Sequence, residues 1–359
     1  MRAHRATLPV YMYRAEIIEA IATNRVLVLS GPTGSGKTTQ LPQFLLEDAE
    51  ERGERCVIAV TQPRRLACIA VADRIAVERG ERGVGQSVGY TIRLESVVPS
   101  EANHVVLCTG GILLRKLMSS RTRSARQKTS RRELEIDQKD PTGDTVEKSS
   151  VAGLEDLTHL ILDEVHERDL HSDFLLTIVR ELLLDSKCSV KVILMSATIN
   201  IDLFVSYFAA VTSACGHLSV PGRMFPVKTF FLNDLLAVPE LATHASEAIV
   251  QCTKRGRDGE DNGGGGAMPL HLIAELVDYL HTSRMRADNG SGAVLVFLPG
   301  WSEISVVLRL LEGRRSIQGS TVLVPLHGNL QGSTQRQVFE RPRSGVRGAS
   351  LSIWRHGPV

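Results

Sequence analysis

Gly31-Pro32-Thr33-Gly34-Ser35-Gly36-Lys37-Thr38 lies between an apolar run at residues 26–29 and a helix-prone stretch at residues 40–46. The pattern G-x-x-x-x-G-K-[ST] between a strand and a helix is a phosphate-binding loop. Its glycines let successive backbone N–H groups converge on one point, and the following helix adds its positive end. Lys37 would reach the outer phosphates, and Thr38 would offer a hydroxyl to Mg²⁺. Such a loop has to be carried by a strand and a helix, which points to an α/β sheet. Short apolar runs at 26–29, 57–60, 105–107, 160–162 and 190–194 alternate with amphipathic stretches, the pattern of a parallel sheet with helices on both faces.

A hydrolytic phosphate site needs a second strand that delivers carboxylates to the metal and the water. The run at 160–162 reads as that strand, so Asp163 and Glu164 emerge at its C-terminal end, where open α/β sheets place their ligands. Asp163 would hold Mg²⁺ and Glu164 would orient or deprotonate the attacking water.

A length of 359 residues allows two domains of ordinary size, each burying its own core. The net charge of +2 carries no global polyanion signal, so nucleic-acid binding has to come from local basic placement. Cys56, Cys68, Cys108, Cys188, Cys215 and Cys252 form no C-x-x-C pair and read as buried, reduced thiols of an intracellular protein, cytoplasmic or nuclear. Neither zinc nor a membrane span is expected.

These two motifs and several further segments of the chain resemble superfamily 2 helicases of the DEAH/RNA-helicase-A-like group. The loop extends as Thr39-Gln40-Leu41-Pro42-Gln43, and Thr61-Gln62-Pro63-Arg64-Arg65 resembles motif Ia. Gly89-Tyr90-Thr91-Ile92-Arg93, Thr109-Gly110-Gly111, Asp163-Glu164-Val165-His166-Glu167-Arg168 and Ser196-Ala197-Thr198 come next, in the family's order. Pro221-Gly222-Arg223, Phe297-Leu298-Pro299-Gly300 and Leu326-His327 continue it.

The resemblance implies tandem RecA-like P-loop NTPase lobes with ATP between them, and ATP-dependent translocation and unwinding of RNA, single-stranded or structured, with a protein cofactor as a further partner. It implies an ATP-binding domain at residues 1–220, with a polar insert at about 119–152. A partial second lobe is expected at 221–359, with strands at 227–231, 293–298 and 321–325 and a Gly-rich insert at about 254–267. Lys37, Asp163, Glu164 and His166 would form the catalytic set; Thr38, Asp163 and Glu164 would face Mg²⁺. ATP would contact Gly31, Pro32, Thr33, Gly34, Ser35, Gly36, Lys37, Thr38 and Thr39, with its adenine between Arg74 and Phe339. Ser196 and Thr198 would couple nucleotide state to closure, and Arg64, Arg65, Thr109 and Gly110 would line the RNA path.

Beyond Arg347 the family continues into another core strand and motifs V and VI. This chain reads Gly348-Ala349-Ser350-Leu351-Ser352-Ile353-Trp354 and ends at Val359, with no Q-x-x-G-R-x-G-R pattern. The expectation is a C-terminally truncated helicase whose incomplete second lobe leaves its strands without partners. The alternative reading is a non-hydrolysing nucleotide- and RNA-binding fragment.

Overall fold

A computed structural model describes residues 2–119, 156–185, 188–197, 201–222, 226–255, 268–287, 293–319, 321–327 and 350–354. Both expected inserts lie almost wholly outside these residues, as do Thr198, Arg223 and Phe339. The chain divides into two compact units, Met1–Met224 and Phe225–Val359.

The first unit is built on eight strands: β1 (Val26–Ser30), β2 (Val57–Gln62), β3 (Val88–Ile92), β4 (Glu95–Val97), β5 (His104–Thr109), β6 (His159–Leu162), β7 (Lys191–Ser196) and β8 (Cys215–Ser219). Their order across the sheet is β4-β3-β5-β2-β6-β7-β1-β8, and every pairing is parallel except β3 with β4. Side chains alternate faces along a strand, and here both faces are covered. Leu27, Leu29, Ile58, Val60, Ile161 and Ile193 enter one core cluster, where Phe44 of the helix Lys37–Arg52 and Ile75 of the helix Arg65–Arg79 pack. Val26, Val28, Val57, Ala59, Leu160 and Val192 enter the other, against Leu175 and Val179 of the helix Leu170–Leu183. This is the RecA-like α/β arrangement that the resemblance implies.

Five strands were legible as apolar runs. β3, β4 and β8 were not, since they carry Gly, Thr, Ser and His between their apolar residues. Three of the cysteines, Cys56, Cys68 and Cys108, are buried, but Cys188 and Cys215 are only half-buried, which corrects the uniform expectation; Cys252 lies outside the described side chains. Among the described residues no helix is long and apolar enough to cross a membrane.

In the second unit, the expected strand at 227–231 is absent, and a 3-10 helix Leu232–Ala237 leads into the helix Pro239–Arg255. Val227, Phe230 and Phe231 are exposed there, and among the described residues no strand pairs with them. β9 (Ala293–Phe297), β10 (Leu323–Leu326) and β11 (Ser350–Trp354) form a parallel sheet in the order β10-β11-β9. β11 therefore sits in the middle, pairing Ser352 with Val324 on one side and Leu295 on the other. The expectation that β9 and β10 lack a partner is corrected: the segment after Arg347 provides one, because backbone pairing requires only extended chain in register. Val294 and Val296 turn toward Ile304, Val307 and Leu311 of the helix Trp301–Glu312, whereas Leu295 and Phe297 are 53% and 57% exposed.

Candidate nucleotide site and its nucleic-acid flank

Five parallel strands, in the order β5-β2-β6-β7-β1, bring Thr109, Gln62, Asp163, Ser196 and Gly31 to one edge of the sheet. The phosphate-type loop leaves β1 at Ser30. Gly31 N–H donates to Ser196 O at 3.1 Å, which locks the loop's first residue to the end of β7. Gly34 and Gly36 have φ of 83° and 94°, where a side chain is strained, and Gly36 caps the helix Lys37–Arg52. The Lys37 ammonium donates to Gly31 O (2.5 Å), Pro32 O (3.1 Å) and Ser35 Oγ (3.2 Å). Burial lowers the Lys37 pKa, against the opposing pull of Asp163 and Glu164.

A cavity of about 260 Å³ opens on this loop. Thr33, Gly34, Gly36, Lys37, Thr38 and Thr39 line one side, with Glu164, Arg74, Glu78, His4 and Leu8 completing it. Pro32 and Ser35 stand outside the lining: Ser35 is buried, and Pro32 packs so tightly on Gly222 that a Cβ there would come within 1.9 Å of its ring.

Asp163, 3% exposed, accepts three hydrogen bonds. Its Oδ2 accepts from the Thr38 hydroxyl at 2.7 Å and from the Gln62 amide, and its Oδ1 accepts from Glu164 N–H at 2.9 Å. Burial, reinforced by the charge of Glu164, pushes its pKa up to about 7 although Thr38, the Glu164 N–H and Lys37 pull the other way. Thr38 and Asp163 thus face each other as two hard oxygen donors, the chemistry a small divalent cation takes. Among the described residues no group of three or more His, Cys, Asp or Glu forms a separate metal site.

Glu164 has φ 55° and Arg168 φ 51°, left-handed conformations that bracket the short 3-10 turn Val165–Glu167. Each costs about 1–2 kcal/mol for a residue with a side chain. Buried Val165 offsets part of this, and so do the paired bonds from Arg168 to Asp173 (2.7 and 3.0 Å) and the Arg64–Glu167 ion pair (2.8 Å). The result aims Glu164 at the cavity. Ala197 N–H donates to His166 Nδ1 at 3.3 Å, which leaves that nitrogen no proton to offer Glu164 Oε2, 3.4 Å away. His166 therefore joins the Asp163–Arg168 turn to the end of β7 rather than entering the cavity's lining.

Arg64 and Arg65 are exposed where β2 gives way to the helix Arg65–Arg79, and Arg65 donates to Arg93 O at 3.1 Å. Thr109 ends β5, and Gly110 begins the helical stretch 110–119. A Cβ on Gly110 would lie 3.1 Å from that of His171, so packing against the helix Leu170–Leu183 already accounts for a glycine there.

Several polar residues of the site carry no motif signal of their own. Gln62 and Gln40 stand in sequence only as members of longer motifs, yet both are buried and hydrogen-bonded to carboxylates, Asp163 and Glu78. Gln43 also reaches Glu78, and Arg5 reaches Gln40 and Glu47. The usable signal was polar spacing inside apolar surroundings: Gln40 and Gln43 stand three apart, and Arg74 and Glu78 four apart, each pair on one helix face.

The family model of the DEAD/DEAH box helicases matches residues 11–204. Arabidopsis thaliana DExH-box ATP-dependent RNA helicase DExH1 is 35% identical over 97% of this chain and 34% of its own length. The human ATP-dependent DNA/RNA helicase DHX36 is 34% identical over the same two shares, 97% and 34%. Chicken (Gallus gallus) ATP-dependent RNA helicase DHX30 is 37% identical over 95% of this chain and 24% of its own. The chain thus spans about a quarter to a third of the length of these curated relatives. The matched region contains the whole phosphate loop, the Asp163–Arg168 turn and Ser196, so the chain belongs to the DEAD/DEAH box helicase family.

Proposed function

We propose that this chain carries the motor region of a DEAH/RHA-type ATP-dependent RNA helicase, coupling ATP hydrolysis to movement along RNA and to unwinding. The observation that carries the reading is the 2.7 Å bond between Thr38 Oγ1 and the buried Asp163, with Lys37 and Glu164 lining the same cavity. Thr38 and Asp163 would hold Mg²⁺ with Glu164 beside them, and the ion would supply charge neutralisation at the phosphates. Lys37 would exchange its loop acceptors for the outer phosphates. Glu164, held by its backbone geometry, would orient the attacking water and take its proton. Arg74 would stack on the base, with Phe339 as the expected second face. Arg64 and Arg65 would grip RNA phosphates, and Thr109 and Gly110 would border the strand's path. Ser196, whose carbonyl holds Gly31, stands where nucleotide state could be passed along β7, with Thr198 as its expected partner.

Steady-state ATP hydrolysis with and without single-stranded RNA tests the reading in the parent chain and in Glu164→Gln. The parent should be stimulated by RNA, whereas Glu164→Gln should bind ATP and lose roughly 10²- to 10⁴-fold in turnover. Nucleotide binding without turnover in the parent would favour the non-hydrolysing alternative, and parental turnover in Glu164→Gln would remove Glu164 from the chemistry.

A further inference from the structure

Glu78 is a buried carboxylate outside the group Thr38, Asp163 and Glu164 proposed for metal and water. Its side chain is 1% exposed, on the helix Arg65–Arg79, and it borders the nucleotide cavity. Oε2 accepts from Gln40 Nε2 at 2.7 Å and Gln43 Nε2 at 2.9 Å, both on the phosphate-loop helix. Oε1 accepts from Arg74 Nε at 2.6 Å. Burial opposes its charge, but the hydrogen bonds from Gln40, Gln43 and Arg74 outweigh that and keep its pKa below the ordinary carboxylate value. A buried, charged carboxylate is costly to keep, and the two glutamine bonds tie one helix to the next rather than closing a turn.

Arg74 gains most from this arrangement. It is 42% exposed, so it would otherwise sample many rotamers. Its Nε edge is taken by Glu78, and one terminal nitrogen lies 3.5 Å from His4 Nδ1. Held at its Nε edge by Glu78, the guanidinium lines the cavity and keeps its flat face available for a planar base.

We propose that Glu78 is a positioning residue that holds Arg74 against the nucleoside and gears it, through Gln40 and Gln43, to the helix that carries the phosphate loop. This rests on the nucleotide reading of the cavity. It requires nucleoside affinity to depend on Glu78 while phosphate affinity does not.

Calorimetric titration of the full 359-residue chain with MgADP and with magnesium pyrophosphate separates the two. Glu78→Gln and Arg74→Ala should each weaken MgADP by about three- to thirtyfold. The double variant should lose no more than the worse single one, because both changes remove one unit. Pyrophosphate affinity should stay within about twofold in all three. Equal loss for both probes, the signature of a carboxylate that only supports the fold, would overturn the proposal. So would unchanged MgADP affinity in Glu78→Gln, or additive losses in the double variant. A parent chain that binds pyrophosphate but discriminates against MgADP would overturn the positioning role alone, while one that binds neither would overturn the nucleotide reading with it.

Discussion

Asp163→Asn should stabilise the nucleotide-free protein at alkaline pH while abolishing any hydrolysis it performs. Burial raises the folded-state pKa of Asp163 to about 7, from an ordinary 3.8. Between these values the unfolded chain holds fewer protons at this site than the folded one, so stability falls as pH rises from about 4 to about 7 and stays low above. The fully ionised penalty is about 4 kcal/mol, from about 1.4 kcal/mol per pH unit over that interval. Asparagine removes it and still accepts from Thr38 and Gln62 through its oxygen, but its NH₂ faces the Glu164 N–H that Oδ1 now accepts. That mismatch costs about 1–2 kcal/mol. The net gain should be about 2–3 kcal/mol at pH 8, or roughly 5–10 °C in the melting temperature of a unit this size. At pH 5 Asp163 is protonated in the folded state, its cost has fallen to less than half of the value at pH 8, and the two effects should nearly cancel. Thermal unfolding followed by circular dichroism, in a chelator and without nucleotide, reads both values. No gain at pH 8, or the same gain at pH 5 and pH 8, would refute the argument that Asp163 is held as a strained, desolvated charge.

Lys37→Ala should weaken binding of an ATP analogue about ten- to a hundredfold by removing a charge-assisted donor; calorimetry showing parental affinity would take the loop out of phosphate binding. Replacing Arg64 and Arg65 together with alanine should weaken RNA binding alike across sequences and flatten its salt dependence by roughly one to two units of slope, whereas a sequence-dependent loss in filter binding would indicate base contacts. Ser352→Pro removes a ladder N–H from the central strand β11, a place where proline is essentially never accommodated, and should destabilise that sheet. Limited proteolysis should then attack residues 225–359 while the first unit persists; parental resistance of both would show that β11 contributes little to that sheet.

The loop at 31–38 and the carboxylates at 163–164 were legible because backbone chemistry confines their types: only glycine suits φ of 83° and 94°, and only an apolar strand followed at once by acids delivers carboxylates to a sheet edge. β3, β4 and β8 escaped because their apolar residues are interrupted, and their pairing depends on neighbours far away in the chain: β8 lies beside β1 in register from Val26↔Cys215 to Ser30↔Ser219. β11 escaped for the same reason, since Ser350–Trp354 becomes a strand only when β9 and β10 flank it. The run at 227–231 misled in the opposite sense, being apolar yet pairing with no strand among the described residues.

By itself the sequence determined the class of sheet, the family resemblance and the residue types that would meet phosphate and metal, because these come from local periodicity and from motifs whose spacing is chemical. Tertiary structure alone decided how those residues are held. Gln62 reaches Asp163 across 101 positions, Gln40 reaches Glu78 across 38 and Ala197 reaches His166 across 31. Hydrogen bonds between residues so far apart in the chain are made by the order in which parallel strands lie side by side, and that order is a property of the packed sheet rather than of any segment within it.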